Sequence, residues 1–307
     1  MYCNKYNILR MNHLFKFSIL SFVLLLFLGC DEEKEPIPSY LHIKKFTLTT
    51  NPTQGANTQD ITDAKVFANG IEVGTFELPA TIPIFAEGNV EITIFPSIKE
   101  TGSAYNRKYY KPYIAFIDTL NLKQLRIDSI QPKTAYKNNA KFDWLLDFEN
   151  TGSSLVKYGL NNTTDSLKVI PTNLPGVNQP FLNSNYCGRI SIDSPSVFEN
   201  FEVATIASYN VPKLGSDVYV EMDFKSNANF QVGIFTDDGS IISRNPVFYA
   251  FPTNDVWKKI YINLKPETGD LTSTTTIRVF FGVYKDLSNP DLKPLVYVDN
   301  LKLVYVP

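Results

Sequence analysis

The chain has 307 residues, of which 44% are hydrophobic and 13% aromatic, and its formal net charge is −2. This composition is sufficient for folded cores, and the length suits two domains. A mildly acidic chain without a basic stripe cannot bind nucleic acid by counterion release, so nucleic acid is excluded as a partner. The histidines are His13 and His42. Such a low number disfavours a Ser-His-Asp or Cys-His catalytic site, because its nucleophile needs a histidine base beside it.

An apolar run near the N-terminus follows three basic residues and ends at Gly29 and Cys30. Basic residues, a short apolar core and a small residue are the layout of a secretory signal, and the core is shorter than the ~20 residues of a membrane-spanning helix. Leu26-Phe27-Leu28-Gly29-Cys30 resembles the lipobox of bacterial lipoproteins. The resemblance implies a signal peptide over 1–29, starting at Met1 or Met11, and a lipid such as palmitate on Cys30. The alternative is a cleavable signal with an incidental cysteine.

The acidic cluster Asp31-Glu32-Glu33-Lys34-Glu35 follows directly. Pro36 and Pro38 stiffen the segment 30–39, which we interpret as a tether. An acidic cluster after a lipidated cysteine resembles the surface-export signal of outer-membrane lipoproteins in some Gram-negative lineages. It implies a lipid-anchored protein in the outer membrane that faces the cell exterior. The alternative is a solvated linker, which is the usual role of a charge run.

Period-two alternation and turn residues predict a small all-β domain over 40–130. Its clearest hairpin signal is Asn69-Gly70, which lies between two alternating segments. Two prolines in Leu78–Pro83 exclude a central strand there, because proline cannot donate to a strand ladder. The run from Val66 to Gly102 resembles PEGA-type and related immunoglobulin-like surface modules. That resemblance implies an immunoglobulin-like sandwich that serves as a spacer or a docking unit.

One loop-like stretch of this domain carries Tyr105, Tyr109, Tyr110 and Tyr113 among basic residues. Tyrosine and arginine are enriched at interface hot spots, so the stretch can be interpreted as a docking face. The alternative is a loop whose tyrosines cover the domain's own core.

The polar segment 131–141 contains proline and asparagine and predicts a linker. Alternating, β-branched and aromatic segments follow over 142–307, and their spacing predicts a second sandwich. Asp147–Gly152 (DFENTG) and Val296–Leu303 (VYVDNLKL) resemble the two edges of a galactose-binding-like jelly roll, the fold of many carbohydrate-binding modules. The expected fold class is therefore all-β, with a small immunoglobulin-like sandwich followed by a jelly roll.

In that family a structural calcium ion often joins the first and last strands. Glu149 and Asp299 occupy the corresponding positions, so the resemblance implies that they are calcium ligands. Calcium takes six to eight oxygen ligands, and the sequence supplies two carboxylates. The alternative is that both residues cap turns at the sheet edge.

Sugar binding in such modules uses aromatic faces flanked by amides and charged groups. Candidates of these types that we place in loops of the second domain are Phe181, Tyr186, Arg189, Tyr209, Arg244 and Tyr249. The two tryptophans, Trp144 and Trp257, are expected to pack in cores instead.

These patterns favour a non-enzymatic, surface-displayed lipoprotein whose jelly roll binds a glycan or another cell-surface component. The alternative is a structural or assembly lipoprotein that docks on an outer-membrane protein complex. A glycosidase or esterase is a third reading. It is disfavoured by the histidine count, although two-carboxylate glycosidase chemistry needs no histidine.

Overall fold

The computed structural model describes residues 36–150, 152–158, 167–177, 184–193, 200–286 and 288–307. The predicted leader, the lipidation site Cys30 and the ligand candidate Phe181 lie outside these residues. Pro38–Pro307 forms one compact unit, and the other unit, Met1–Ile37, lies almost wholly outside the described part. No helix among the described residues has the length and apolarity needed to cross a membrane.

We call 38–140 the first lobe. Its strands are β1 (Ser39–Ile43), β2 (Thr47–Thr49), β3 (Ile61–Ala68), β4 (Ile71–Glu77), β5 (Ala80–Ile84), β6 (Gly88–Lys99), β7 (Arg107–Tyr109), β8 (Phe116–Leu122), β9 (Ile127–Ile130) and β10 (Lys133–Ala135). The described strands pair in the orders β5-β1-β9, β10-β2 and β4-β3-β6-β7, with β8 also on β6. The predicted linker thus contains β10, which pairs in parallel with β2. The domain boundary at 131–141 stays a prediction.

The hairpin predicted at Asn69-Gly70 is confirmed, since β3 and β4 pair antiparallel on either side of it. Asn69 and Gly70 both have positive φ, 48° and 78°. A two-residue turn of this kind matches the twist of the flanking strands, and asparagine followed by glycine adopts it at least cost. Pro83 lies in β5 at the edge of its sheet, where a missing backbone donor is tolerated.

We call 141–307 the second lobe. Its strands are β11 (Lys141–Leu146), β12 (Leu155–Lys157), β13 (Leu167–Pro171), β14 (Tyr186–Ser191), β15 (Asn200–Thr205), β16 (Val218–Ser226), β17 (Phe230–Asp237), β18 (Ile242–Ala250), β19 (Lys258–Asn263), β20 (Thr276–Tyr284) and β21 (Leu295–Tyr305), with a short helix α1 (Lys265–Thr268) before β20. One sheet has the order β13-β14-β21-β16-β19, with β11 also on β21, and the other has the order β12-β15-β20-β17-β18. The prediction of an all-β sandwich is confirmed.

The core of the second lobe lies between these two sheets. Alternate residues of β20, from Ile277 to Val283, are fully buried in it, as the period of a strand requires. Trp144 and Trp257 are 4% and 5% exposed, which confirms their predicted burial. Cys187 is also buried, and burial raises the pKa of its thiol to about 12.

The central strand β16 is buried along its whole length, on both faces. One face, with Val220 and Met222, packs in the sandwich core. The other face packs against the first lobe, whose apolar cluster includes Tyr219 of β16 and Tyr261 of β19. The first lobe therefore covers the outward face of this sheet at β16 and β19.

Five buried tyrosines around Glu221 join the lobes, and we call this cluster the tyrosine junction: Tyr110, Tyr113, Tyr136, Tyr219 and Tyr261. The hydroxyls of Tyr110 and Tyr136 donate to the Glu221 carboxylate at 2.6 Å and 2.9 Å. Lys259 forms an ion pair with Glu221 at 3.4 Å. Two of the four tyrosines considered as a docking face, Tyr110 and Tyr113, are thus buried inside the molecule.

Candidate functional site

The sheet β12-β15-β20-β17-β18 has an outward face that the first lobe does not cover. Its polar and aromatic residues alternate with the core residues of the same strands, and we call this set the open face: Glu202, Gln231, Phe235, Arg244, Tyr249, Phe280 and Tyr284. Register places Glu202, Gly282, Gln231 and Tyr249 in one row across four strands.

Two phenylalanine rings form the floor of the open face. Phe235 and Phe280 pack together with Ala204, and their ring centroids are 5.0 Å apart. A Cβ on Gly233 would lie 2.5 Å from the Phe280 ring and 2.4 Å from the carbonyl oxygen of Asn245. Glycine at this position therefore lets the Phe280 ring lie flat across the sheet.

The guanidinium of Arg244 lies over this floor, 4.3 Å from the centroid of the Phe280 ring. It donates to Glu202 Oε1 at 2.6 Å and 2.8 Å and to Gln231 Oε1 at 2.7 Å. Stacking on an aromatic face and a fixed fork of donors are properties that arginine has and lysine lacks. Arg244 is thereby held in one orientation while its side chain stays 31% exposed.

Two tyrosine hydroxyls complete the network. Tyr284 Oη accepts from Arg244 at 2.5 Å, and burial together with the Glu202 charge raises the pKa of this tyrosine to about 12. Gln231 Nε2 donates to Tyr249 Oη at 2.7 Å, and Tyr249 is 56% exposed. The Tyr284 phenol therefore stays neutral at physiological pH, and the hydroxyls of both tyrosines can donate or accept hydrogen bonds.

This arrangement suits recognition more than chemistry. An exposed ring offers a surface for C–H groups, while the guanidinium, the amide and the hydroxyls can bond to a ligand's own hydroxyls. Glu202 is the carboxylate of this network, and its ion pair with Arg244 neutralises its charge. Two-carboxylate hydrolysis needs a second carboxyl group across a cleft, and the described network does not pair two carboxylates.

The structure separates the predicted ligand residues into different places. Tyr249 and Arg244 lie together on the open face, in β18, so their predicted placement in loops was wrong. Tyr186 and Arg189 lie on β14, in the other sheet. Tyr209 is half-buried and packs against the sandwich core. The open face is thus the place where the structure brings two of the candidates together.

Sequence reasoning missed Glu202, Gln231 and Tyr284. Each lies in the middle or at the end of a strand, where a polar residue is ordinarily interpreted as facing solvent. A signal was present in Thr276–Tyr284 (TIRVFFGVY), whose alternate positions are wholly apolar on one side and carry Arg278, Phe280 and Tyr284 on the other.

The predicted calcium ligands lie near a common loop. Glu149 accepts hydrogen bonds from the backbone amides of Asn185 and Tyr186 at 2.7 Å and 2.9 Å. Asp299 is buried and accepts from Ser184 Oγ at 2.6 Å. Burial raises the pKa of Asp299 to about 8, and the charge of Glu149 adds to this effect.

Among the described residues no group of three His, Cys, Asp or Glu side chains lies close enough to hold a metal ion. The oxygens of Glu149 and Asp299 fit calcium in chemical type, but six to eight ligands would have to come mostly from backbone and hydroxyl oxygens. Calcium binding stays a prediction.

No protein-family model and no curated protein matches this sequence. Among solved structures, the chain is similar to a family 11 carbohydrate-binding module of the cellulase Lic26A-Cel5E of Clostridium thermocellum, with 15% identity, a TM-score of 0.36 and coverage of 53% of this chain and 94% of that one. The xylan-binding domain CBM22-2 of Paenibacillus barcinonensis Xyn10C gives 15% identity, a TM-score of 0.35 and coverage of 53% and 99%.

A third structure, TmCBM61 in complex with β-1,4-galactotriose, gives 16% identity, a TM-score of 0.32 and coverage of 50% of this chain and 89% of that one. Because these TM-scores are below 0.5, the likenesses say nothing about what this chain binds.

Proposed function

We propose that the open face binds a glycan and that the protein is a non-catalytic recognition protein. The observation that carries the proposal is the fixed network of Arg244, Glu202 and Gln231 above a phenylalanine floor, with the exposed ring of Tyr249 at its end. Hydrogen-bonding groups held rigidly beside an exposed ring match the alternating hydroxyl and C–H surfaces of a sugar.

The test is a glycan array probed with the soluble chain from Asp31 to Pro307, followed by titration calorimetry with the glycans that bind. Tyr249→Ala removes the exposed ring of the open face, and Tyr186→Ala is the matched control, because Tyr186 is an exposed tyrosine of the other sheet, 43% exposed. Loss of one stacking ring is expected to weaken binding at least about tenfold.

Tyr186→Ala is expected to leave the affinity unchanged. The reverse pattern would place the site at β14, where the other pair of candidates lies. An array on which the chain binds no glycan would contradict the proposal of glycan binding.

We also propose that the protein is anchored by a lipid on Cys30 in the outer membrane and displayed on the cell exterior. This rests on the lipobox resemblance and on the acidic cluster that follows the cysteine. Mass spectrometry of the purified mature N-terminus is expected to find an acylated Cys30. Protease treatment of intact cells is expected to degrade the protein, and protection until the outer membrane is opened would contradict outward display.

The rival function, docking on an outer-membrane protein complex, loses part of the support that the tyrosine stretch had offered it, although Tyr105 is fully exposed. Tyr110 and Tyr113 contact the second lobe and are fully buried. They are therefore unavailable to a partner unless the lobes separate.

A further inference from the structure

A concave surface lies at the junction of the lobes, and its lining residues differ from those of the open face. Its volume is about 510 Å³, within the range of small-molecule sites. The first lobe contributes Gln59, Asp60, Lys99, Thr101 and Gly102, and the second lobe contributes Phe224, Phe248, Phe251, Trp257, Lys258, Lys259 and Ile260. We call this surface the groove.

Contacts between the lobes hold the walls of the groove in place. The backbone amide of Asp60 donates to Tyr261 Oη at 3.0 Å. Next to the Thr101 wall, Asn263 Nδ2 donates to Glu100 Oε1 at 3.0 Å, and this bond is buried. The groove is therefore formed before any ligand arrives, which lowers the entropic cost of binding.

One wall of the groove is aromatic. Phe251 is 72% exposed, whereas Phe248 beside it is half-buried. Trp257 is anchored below them, because its Nε1 donates to the Val177 carbonyl at 2.8 Å. An exposed ring on a supported wall offers a stacking surface for a flat, C–H-rich face such as that of a pyranose.

The charges of the lining are mainly positive, with Lys99, Lys258 and Lys259 against Asp60. Lys99 bonds to Glu77 at 3.0 Å, and Lys259 bonds to Glu221. Lys258 is exposed, and its side-chain amine has no ion pair or hydrogen bond with any other described residue. It is thus a cation on the rim of the groove, available to an incoming anion.

From these features we infer that the groove binds an acidic saccharide, with the pyranose ring against Phe251 and the carboxylate on Lys258. The two requirements are separate, since the ring supplies stacking and the lysine supplies charge. This site shares no residue with the open face.

The test is titration calorimetry of the soluble chain from Asp31 with digalacturonate and with the uncharged disaccharide digalactose. We expect digalacturonate to bind more tightly than digalactose, and more weakly as ionic strength rises. Lys258→Gln and Phe251→Ala are each expected to weaken digalacturonate binding at least about tenfold. Both side chains are exposed, so neither change disturbs a core.

Two controls separate this inference from the proposed function. Lys168→Gln removes an exposed lysine of the second lobe outside the groove and is expected to change nothing. Tyr249→Ala alters the open face and is expected to leave digalacturonate binding intact. The inference is overturned if digalacturonate does not bind at about 1 mM. It is also overturned if digalactose binds equally well, if Lys258→Gln binds normally, or if Tyr249→Ala removes the binding.

Discussion

The two outward faces of the second lobe carry the same kinds of side chain in different surroundings. On one sheet Glu221 lies beside lysines and tyrosines, and on the other Glu202 lies beside Arg244 and Tyr284. The first cluster is buried because the first lobe covers it, whereas the second stays partly exposed. The covered cluster is a contact surface between the lobes, and its likeness to the open face supports the proposal that the open face is a contact surface for a ligand.

The largest expected effect is on the covered face. Glu221→Ala should lower the free energy of unfolding by about 3–5 kcal/mol, because it leaves the buried Lys259 with only the more distant Asp223, at 3.9 Å, and removes the acceptor of the Tyr110 and Tyr136 hydroxyls. The matched change Glu202→Ala, on the open face, should cost about 1 kcal/mol or less, since its partner is partly solvated. Urea unfolding of both variants measures the contrast, and equal losses would contradict it.

The second prediction concerns pH. Burial lowers the pKa of Lys302 to about 8, against the opposing charge of Glu221. Above that pH the folded chain releases the proton while the unfolded chain keeps it, so stability should rise with pH. Relative to Lys302→Met, the wild-type chain should gain about 2 kcal/mol between pH 8 and about pH 9.5.

Urea unfolding at several pH values checks this, and the difference between the two chains cancels the titration of the tyrosines. Parallel pH profiles would show that Lys302 keeps an ordinary pKa and that the covered face is more solvated than the described contacts indicate.

The third prediction tests calcium. If Glu149 and Asp299 bind it, a calcium concentration tenfold above the dissociation constant should stabilise the chain by about 1.4 kcal/mol. Thermal unfolding with calcium and with a chelator measures this, and Asp299→Asn should remove the difference. Identical curves for the wild-type chain would eliminate the site.

The smallest expected effect on stability is on the open face. Arg244→Met should cost about 0.5–1 kcal/mol, because the ion pair that it breaks is partly exposed. The same change should nevertheless weaken glycan binding, which the array and calorimetry measure. A large loss of stability with normal glycan binding would show that Arg244 has a structural role. It would contradict the proposed difference between the covered face and the open face.

Local patterns predicted many of the strands, although β15 and β18 were missed. The turn at Asn69-Gly70 and the alternation in β20 depend on neighbouring residues, so the sequence displays them directly. Burial of both tryptophans followed in the same way. The tyrosine junction could not be predicted, because Tyr110 and Glu221 are separated by 111 positions and meet only when the lobes pack.

The sequence identified only part of the open face. Tyr249 and Arg244 were selected for their chemistry alone, together with Tyr186 and Arg189, which the fold places on another sheet. Distinguishing the pairs requires knowing which strands are neighbours, and that depends on long-range pairing such as that of β17 with β20. A single sequence gives no such information.

Burial of β16 on both faces has a consequence for how the protein unfolds. Its amides bond to β21 on one side and β19 on the other, and every residue of Val218–Ser226 is buried. These amide protons should exchange with deuterium only when the whole chain unfolds, and so report its global stability. β16 would then be the segment whose amide protons exchange most slowly, and the last segment to unfold.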